Sequence, residues 1–194
     1  MTPALVIKLG GSHAGSALLR PWLDVVVASD NIVLVPGGGP FADIVRTMQP
    51  EIGYDDHAAH DMALMAMAQF GRALTALSDR LLYCDDLQNV RAERGRIPVW
   101  SPWPGLRDAA DIPPSWDITS DSLALWLACA LDAPAVLLVK HRAAIEGLVD
   151  EGLVDRAFPT FAARYRGAIY IAGPEDMPGG RIDPEHLPGR RVVQ

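Results

Sequence analysis

The sequence predicts an α/β fold, a three-layer αβα sandwich in which helices cover both faces of a mostly parallel central β-sheet. Short runs such as residues 4–9 and 135–140 are apolar along almost their whole length, which is typical of strands buried on both faces. Segments with apolar residues at helical spacing separate these runs, and this alternation favours parallel strands joined by crossover helices. The 194 residues suffice for one well-buried core, so we expect a single domain over residues 1–194.

The first predicted strand, residues 4–9, is followed by a helix over 16–28. The second strand, 31–36, leads through three glycines into a short helix at 40–48. The remaining elements follow in this order: a long helix from Asp55 or Asp56 to about Leu77, strands at 81–83 and 97–100 with a helix at 85–94 between them, a helix at 120–131, a strand at 135–140, a helix at 160–166 and a last strand at 168–172. Residues 173–194 are rich in Pro, Gly and Arg, and we expect them to form a tail that wraps the surface.

Composition argues against several classes of partner. The net charge of −7 and the pI near 5.1 make nucleic acid or an anionic membrane an unsuitable main partner. Cys84 and Cys129 lie far apart in the sequence and do not have the spacing of metal ligands. We therefore expect two reduced thiols. No apolar stretch approaches the ~20 residues of a membrane span. Because the first predicted strand begins at residue 4, we expect no signal peptide. We expect a cytoplasmic protein with a small-molecule substrate. Because sheet proteins of this type often pair through a long helix, we also expect a homo-oligomer.

Two lysines stand out among the 17 basic residues. Lys8 and Lys140 are the only lysines of the chain, and each ends an apolar strand. A compact ammonium with an adjustable pKa is not interchangeable with a guanidinium. Since open α/β sheets bind ligands outside the carboxyl ends of their strands, the pair indicates a phosphate site. The alternative is two surface lysines left by drift.

Two glycine loops follow the first two strands. Gly10 and Gly11 precede Ser12, and Gly37-Gly38-Gly39 precede a helix, so backbone amides could surround an anion at both places. A glycine pair often marks only a tight turn. Three glycines in succession, however, reduce stability through chain entropy and indicate a close approach of the backbone to another group. Asp43 falls in the first turn of the next helix, where a structural role is favoured over a ligand role.

Two polar segments complete the predicted site. In Asp117-Ile118-Thr119-Ser120-Asp121, Thr119 or Ser120 is a natural N-cap. Helix capping alone would explain an aspartate at position 121. The alternative is that the Asp121 carboxylate holds the lysine side chains in place. Lys140-His141-Arg142 ends a strand at the same edge of the sheet, where three basic groups suit nucleotide phosphates or form a solvated patch.

In this order the motifs resemble the amino acid kinase superfamily over about residues 4–172. The segments 35–43, 59–64 and 116–122 are most similar to the branch of kinases in methanofuran biosynthesis. The resemblance implies ATP- and Mg²⁺-dependent phosphorylation of [5-(aminomethyl)furan-3-yl]methyl phosphate to its diphosphate. It implies catalytic roles for Lys8, Asp121 and Lys140, with no protein metal site. The nucleotide and phosphates would be bound by Gly10, Gly11, Ser12, His141, Arg142 and Arg156. The substrate would be bound by Gly37, Gly38, Gly39, Asp43, Asp117 and Thr119.

Two departures from the family pattern bear on function. Lys140-His141-Arg142 replaces a Thr-Asp-Val-Asp-Gly-like segment, and no lysine follows position 140, where relatives carry their second catalytic lysine. Either Lys140 or Arg156 takes that role, or the activity is altered. The alternatives are therefore a kinase for another phosphate or carboxylate acceptor and a non-catalytic nucleotide- or oxyanion-binding protein. His57 and His60, spaced i to i+3, could bind a metal, although a polar helix start explains them better.

Overall fold

The computed structural model describes residues 5–143, 149 and 152–192. The strands are β1 (Leu5–Leu9), β2 (Ile32–Pro36), β3 (Leu81–Cys84), β4 (Ile97–Trp100), β5 (Ala135–Val139), β6 (Ala168–Ala172) and β7 (Arg190–Val192). The helices are α1 (Leu19–Val27), α2 (Gly39–Ile52), α3 (Asp56–Thr75), α4 (Leu87–Ala92), α5 (Ser120–Leu131) and α6 (Phe158–Ala162). A 3-10 helix spans Gly11–Gly15, and another spans Pro174–Asp176.

The described strands form one sheet in the order β3-β4-β2-β1-β5-β6-β7. Strands β1 to β6 pair in parallel, and only the edge pair β6–β7 is antiparallel. Helices lie on both faces, so the predicted three-layer α/β architecture is confirmed. None of the helices in the described part of the chain is long and apolar enough to cross a membrane.

Alternate residues of the central strands face two separate hydrophobic clusters. Val6, Val136 and Leu138 belong to the cluster that contains the apolar side chains of α5 and α6. Ile7 and Leu137 belong to the opposite cluster, which is built around α1. Each fully buried side chain of this size stabilises the fold by about 1.5–3 kcal/mol. The two-residue period of a strand therefore decides which face of the sheet each side chain contacts.

The same period directs both lysines to one face of the sheet. Lys8 continues the alternation of Val6, and Lys140 continues that of Val136 and Leu138. Because Lys8 is in register with Leu138, the two lysines occupy neighbouring strands one step apart along that face. Both side chains thus lie on the face that α5 covers.

The carboxyl ends of β1 and β5 form the switch point of the sheet. The chain leaves β1 towards β2 on one side and leaves β5 towards β6 on the other. The loops after the two strands therefore diverge and open a crevice between them, which is where open α/β sheets bind ligands. Lys8 is the penultimate residue of β1, and Lys140 directly follows β5.

Several element boundaries differ from the sequence prediction. The helix predicted at 40–48 extends to Ile52 despite Pro50 and ends at Gly53, which adopts φ +85°. The segment 16–28 is helical only over α1, and the helix predicted at 160–166 instead spans α6. Proline is tolerated near the end of α2 because few backbone hydrogen bonds remain beyond it.

The predicted tail contains a strand, so residues 168–172 are not the last strand of the sheet. β7 pairs along β6, although Arg190 and Arg191 give it no apolar run. An edge strand exposed to solvent does not require apolar residues, which explains why the pattern was missed. Between β6 and β7, the buried Ile182 donates its backbone N–H to the Ser29 hydroxyl at 2.8 Å and anchors the tail to the body.

Candidate active site

The carboxylate of Asp121 bridges the two lysines. Lys140 Nζ lies 2.7 Å from each of the two carboxylate oxygens, and Lys8 Nζ lies 3.0 Å from Oδ1. Asp121 occupies the first turn of α5, whose N-terminus meets the carboxyl ends of β1 and β5. All three residues are buried, with relative exposures of 4–6%. Asp121 therefore holds the lysines as well as lying in the first turn of its helix.

Burial and charge act in opposite directions on this cluster. Burial raises the pKa of Asp121, but the ammonium groups of Lys140 and Lys8 outweigh it and lower the pKa to about 2. Burial lowers the pKa of Lys140 to about 8, against the attraction of Asp121 and with the repulsion of Lys8. Near neutral pH the three groups together carry a net positive charge, which favours an anionic ligand at the switch point.

The two glycine loops touch each other backbone to backbone. A Cβ atom on Gly11 would lie 2.1 Å from the backbone nitrogen of Gly39, and one on Gly37 would lie 2.2 Å from that of Gly11. Gly39 also adopts φ +53°, where a side chain is strained. The close approach expected from the three glycines is thus an approach to the other loop. Gly37 packs behind the first loop and does not line the cleft.

Some loop amides take part in the strand pairing, and others lie in the first turn of a helical segment. Gly10 N–H donates to the Val139 carbonyl and Gly37 N–H to the Leu9 carbonyl, which extends the strand pairing. Gly11, Ser12 and Gly39 lie in the first turn of helical segments, where amides lack intrahelical acceptors. These three amides can donate to an anion in the cleft.

Asp155, which sequence analysis did not select, secures the N-terminus of α5. Its carboxylate accepts hydrogen bonds from the backbone N–H and hydroxyl of Thr119 and from those of Ser122. Thr119 is the N-cap residue, but its hydroxyl donates to Asp155 instead of capping the helix. Burial raises the pKa of Asp155 and the charge of Asp121 adds to this, whereas the hydrogen bonds from Ser122 and Thr119 lower it.

The basic segment after β5 contacts the first glycine loop. Ser12 Oγ and His141 Nδ1 are hydrogen-bonded at 2.9 Å, although the two residues are far apart in the sequence. His141 and Arg142 are exposed at the cleft. His13 is buried beneath the loop, with Nδ1 bonded to the Gly10 carbonyl at 3.0 Å, and burial lowers its pKa. The basic segment after β5 therefore lies against the first glycine loop at the cleft.

A cleft of about 810 Å³ joins these features and is large enough for a nucleotide with a small second ligand. Every residue predicted for the site lines it except Gly37: Lys8, Gly10, Gly11, Ser12, Gly38, Gly39, Asp43, Asp117, Thr119, Asp121, Lys140, His141, Arg142 and Arg156.

Within the cleft, Lys140 and Arg156 occupy different environments. Lys140 and Lys8 both contact the carboxylate of Asp121, whereas the exposed Arg156 side chain is 3.8 Å from Asp117. Asp43 lies beyond the first turn of α2, contrary to expectation, because the helix begins at Gly39. It is exposed, 3.9 Å from Arg46. Lys140 thus shares a carboxylate with Lys8, whereas Arg156 pairs with a different one.

The outer end of the cleft is lined by Trp116 and acidic side chains. Trp116 Nε1 donates to Gln49 Oε1 at 2.7 Å, and the Arg46 guanidinium lies 4.4 Å from the Trp116 ring centroid. Gln49 Nε2 in turn donates to Asp56 Oδ1 at 2.8 Å. One face of Trp116 is therefore already covered by a cation.

His57 and His60 do not form the metal site considered above. His57 is exposed beside Asp108 at 3.5 Å, whereas His60 is buried in the cleft wall. Within residues 5–143, 149 and 152–192, no group of three or more His, Cys, Asp or Glu side chains is placed to hold a metal ion.

Comparisons with known proteins agree with this fold and site. The model of the amino acid kinase family matches residues 3–150. The chain is 29% identical over 191 residues to a protein named [5-(aminomethyl)furan-3-yl]methyl phosphate kinase from Methanocaldococcus jannaschii, with 86% of each chain covered. Uridylate kinase from Archaeoglobus fulgidus superposes with a TM-score of 0.69 at 14% identity, over 98% of this chain and 100% of that one. Aspartate kinase from Synechocystis gives a TM-score of 0.63 at 15% identity, over 98% of this chain and 40% of that one.

The fold and the matched relatives define an enzyme of the phosphotransferase class. At 14–15% identity the two solved structures show the fold alone. The family match extends over most of the chain. The chain belongs to the amino acid kinase family.

Proposed function

We propose that this protein phosphorylates [5-(aminomethyl)furan-3-yl]methyl phosphate to its diphosphate, with ATP as the donor. The observation that carries the phosphotransfer is the buried Lys8–Asp121–Lys140 cluster at the switch point of the sheet. The choice of acceptor is supported by the name of the Methanocaldococcus jannaschii relative, [5-(aminomethyl)furan-3-yl]methyl phosphate kinase. It is supported also by an outer cleft lined with carboxylates, which suits an acceptor that carries a cation.

The charge and hydrogen-bond donors of the cleft residues suit a nucleoside triphosphate. Lys8, Lys140 and Arg142 supply positive charge, and the amides of Gly11 and Ser12, in the first turn of a 3-10 helix, supply hydrogen-bond donors. Both oxygens of Asp121 are occupied by lysines, so Mg²⁺ would be held mainly by phosphate oxygens and water, as this ion commonly is. When bound, Mg²⁺ neutralises charge on the phosphates.

The chain's own residues would act by positioning and charge neutralisation, which dominate phosphoryl transfer. Lys8 and Lys140 would stabilise charge that develops on the transferred group, because their ammonium groups are buried and are held in place by Asp121. Gly38, Gly39 and the N-terminus of α2 would bind the acceptor phosphate. Asp43, Asp117 and Thr119 would contact the rest of the acceptor from the cleft wall. A phosphate monoester is already largely ionised near neutral pH, so the site needs no strong general base.

We also propose that the protein is a cytoplasmic homo-oligomer that uses neither nucleic acid nor membrane as a partner. The exposed apolar side chains of α2 support self-association: Phe41, Ile44, Met48 and Ile52 recur at helical spacing along one face. Light scattering coupled to gel filtration tests this, with Ile44→Lys as the variant. A smaller assembly is expected for the variant, and a monomeric wild-type protein would contradict the proposal.

The deciding experiment for the activity is ³¹P NMR of the protein with Mg·ATP and the furan phosphate. Isopentenyl phosphate and N-acetylglutamate serve as control acceptors. A new diphosphate resonance that appears together with ADP, for the furan alone, supports the proposed acceptor. Transfer only to a control acceptor indicates another kinase of the family. ATP binding without transfer to any of these acceptors favours the non-catalytic alternative.

A further inference from the structure

Asp155 caps α5 from a distant part of the chain. Thr119 is the N-cap residue, but its side chain makes no capping hydrogen bond to the first turn. Instead, Oδ2 of Asp155 accepts from the Ser122 N–H at 3.0 Å, and from the N–H and hydroxyl of Thr119 at 3.0 and 2.9 Å. Ser122 is the third residue of α5, and its amide is one that an N-cap side chain normally binds. Asp155 therefore does the work of the cap.

Both carboxylate oxygens of Asp155 are occupied by these partners. Oδ1 accepts from the hydroxyl of Ser122, whose side chain is fully buried. A carboxylate has about four acceptor positions, and four donors of the first turn of α5 use them here. Although Asp155 borders the cleft, its geometry is that of an anchor for α5 and not of a ligand for substrate.

The backbone beside Asp155 lies along the loop that leads into α5. Ala157 N–H donates to the Asp117 carbonyl at 2.9 Å, and the Arg156 guanidinium is 3.8 Å from the Asp117 carboxylate. Backbone and side-chain contacts thus place the Asp155 carboxylate against the start of the helix.

Asp121 lies between the two residues that Asp155 holds. Thr119 precedes it by two positions and Ser122 follows it directly, so the backbone is fixed on both sides of Asp121. The Asp121 carboxylate in turn contacts both ammonium groups of the lysine cluster. An unbroken series of contacts therefore connects Asp155 to the two cations, and a misplacement of about 1 Å at reacting groups can cost 10²-fold in rate.

From this geometry we propose that Asp155 is a positioning residue for phosphoryl transfer. It fixes the first turn of α5, and through Asp121 it sets the positions of the Lys8 and Lys140 ammonium groups. The effect on turnover rests on the proposed function, whereas the effect on the lysine positions does not.

The charge of Asp155 has a second effect that can be separated from its hydrogen bonds. Burial is the largest influence on the pKa of Lys140 and lowers it; Lys8 of β1 lowers it too, whereas Asp121 of α5 and Asp155 raise it. His13, beneath the first glycine loop, has a lowered pKa and is neutral near pH 7. Removing the charge of Asp155 should therefore lower the pKa of Lys140, even where the hydrogen bonds are kept.

The test uses the fact that the chain has only two lysines, both in the site. Lysine labelled with ¹³C at Cε and ¹⁵N at Nζ gives two side-chain NMR signals from the full chain, and Lys8→Met assigns them. Asp155→Ala removes the four hydrogen bonds and the charge, whereas Asp155→Asn removes the charge but keeps an oxygen that can accept. Asp86→Ala is the matched control, because Asp86 accepts the Gln88 N–H as the N-cap of α4, outside the cleft lining.

In Asp155→Ala, both lysine signals are expected to move towards those of the unfolded chain, and kcat to fall on the order of 10²-fold. Asp155→Asn is expected to keep the signals near their wild-type positions and to recover most of kcat. In that variant the titration midpoint of the Lys140 signal should move to lower pH. Asp86→Ala should match the wild-type protein in signals and kcat.

Unchanged lysine signals in Asp155→Ala would overturn the inference, as would equal losses of kcat in Asp155→Ala and Asp86→Ala. An Asp155→Asn variant as impaired as Asp155→Ala would assign the effect to charge and contradict positioning. If Asp155→Ala does not fold, Ser122→Ala removes one hydrogen bond and should move the same signals by less; no movement would again overturn the inference. Signals that move as expected in a protein without phosphoryl transfer would refute the proposed activity and leave the positioning of the lysines intact.

Discussion

Lys140 Nζ lies 2.7 Å from both carboxylate oxygens of Asp121, although the two residues come from different elements, the end of β5 and the first turn of α5. Lys8 shares the same carboxylate from β1. One buried anion therefore fixes two cations on neighbouring strands. Of the two candidates for a second catalytic basic residue, Lys140 shares the carboxylate of Lys8, whereas Arg156 lies beside Asp117.

Replacing Asp121 with Asn should destabilise the protein, because two buried ammonium groups would lose their common counter-charge. We expect the free energy of unfolding at pH 7 to fall by about 3–5 kcal/mol, as measured by urea denaturation. Asp30→Asn is the control, since its ion pair with Arg80 is on the surface and should contribute at most about 1 kcal/mol. Equal stability of the two variants would show that the bridge does not stabilise the fold.

Replacing Lys8 with Met should reduce turnover while keeping the volume of the side chain. The loss of one ammonium group from the transferred phosphoryl should lower kcat by on the order of 10²–10³. Steady-state kinetics with the acceptor identified by ³¹P NMR measure the effect. Near-normal turnover would exclude Lys8 from the chemistry.

The charge of Lys140 should produce an alkaline limit of activity. Its pKa is lowered to about 8, so the ammonium is charged below that pH and neutral above it. We expect kcat/KM to fall about tenfold per pH unit above pH 8. In Lys140→Arg the guanidinium stays charged, and the alkaline limb should disappear even where overall activity is lower. A wild-type rate that stays constant to about pH 9.5 would contradict this assignment.

The lowered pKa of Lys140 should reduce activity at alkaline pH but increase stability there. Between pH 8 and the ordinary lysine value of 10.5, the unfolded chain binds more protons at this site than the folded chain does. The contribution of Lys140 to the free energy of unfolding therefore rises with pH over that window. Urea denaturation at pH 8 and pH 10, in the wild-type protein and in Lys140→Arg, isolates this contribution.

Gly11→Ala should damage the site, whereas Gly15→Ala in the same short helix should not. The added Cβ on Gly11 meets backbone atoms of the second loop, which cannot move aside as a side chain can, and nothing lies within 4 Å of a Cβ on Gly15. Overpacking of this kind costs about 1–3 kcal/mol and would separate the two loops. Thermal denaturation and turnover of both variants provide the measurement. Equal behaviour would show that the contact between the loops is dispensable.

The sequence patterns predicted residues that the fold brings together, because strand periodicity and helix capping are local properties. Both lysines end apolar runs, and α5 spans the residues that its pattern predicted, Ser120–Leu131. Asp155 was missed because its partners, Thr119 and Ser122, lie 36 and 33 residues earlier in the chain. His60 was interpreted as part of a polar helix start. Only tertiary packing buries its side chain, so no local pattern could indicate that His60 lies in the cleft wall.

The short strand β7 bears on how the chain behaves when it is cut. Ile169, Tyr170 and Ile171 of β6 have β7 as their neighbour on one side. A chain truncated after residue 173 would leave that side of β6 with unpaired amides and carbonyls, which readily recruit a strand from another molecule. We therefore expect these three residues, two of them arginines, to protect this edge of the sheet from aggregation.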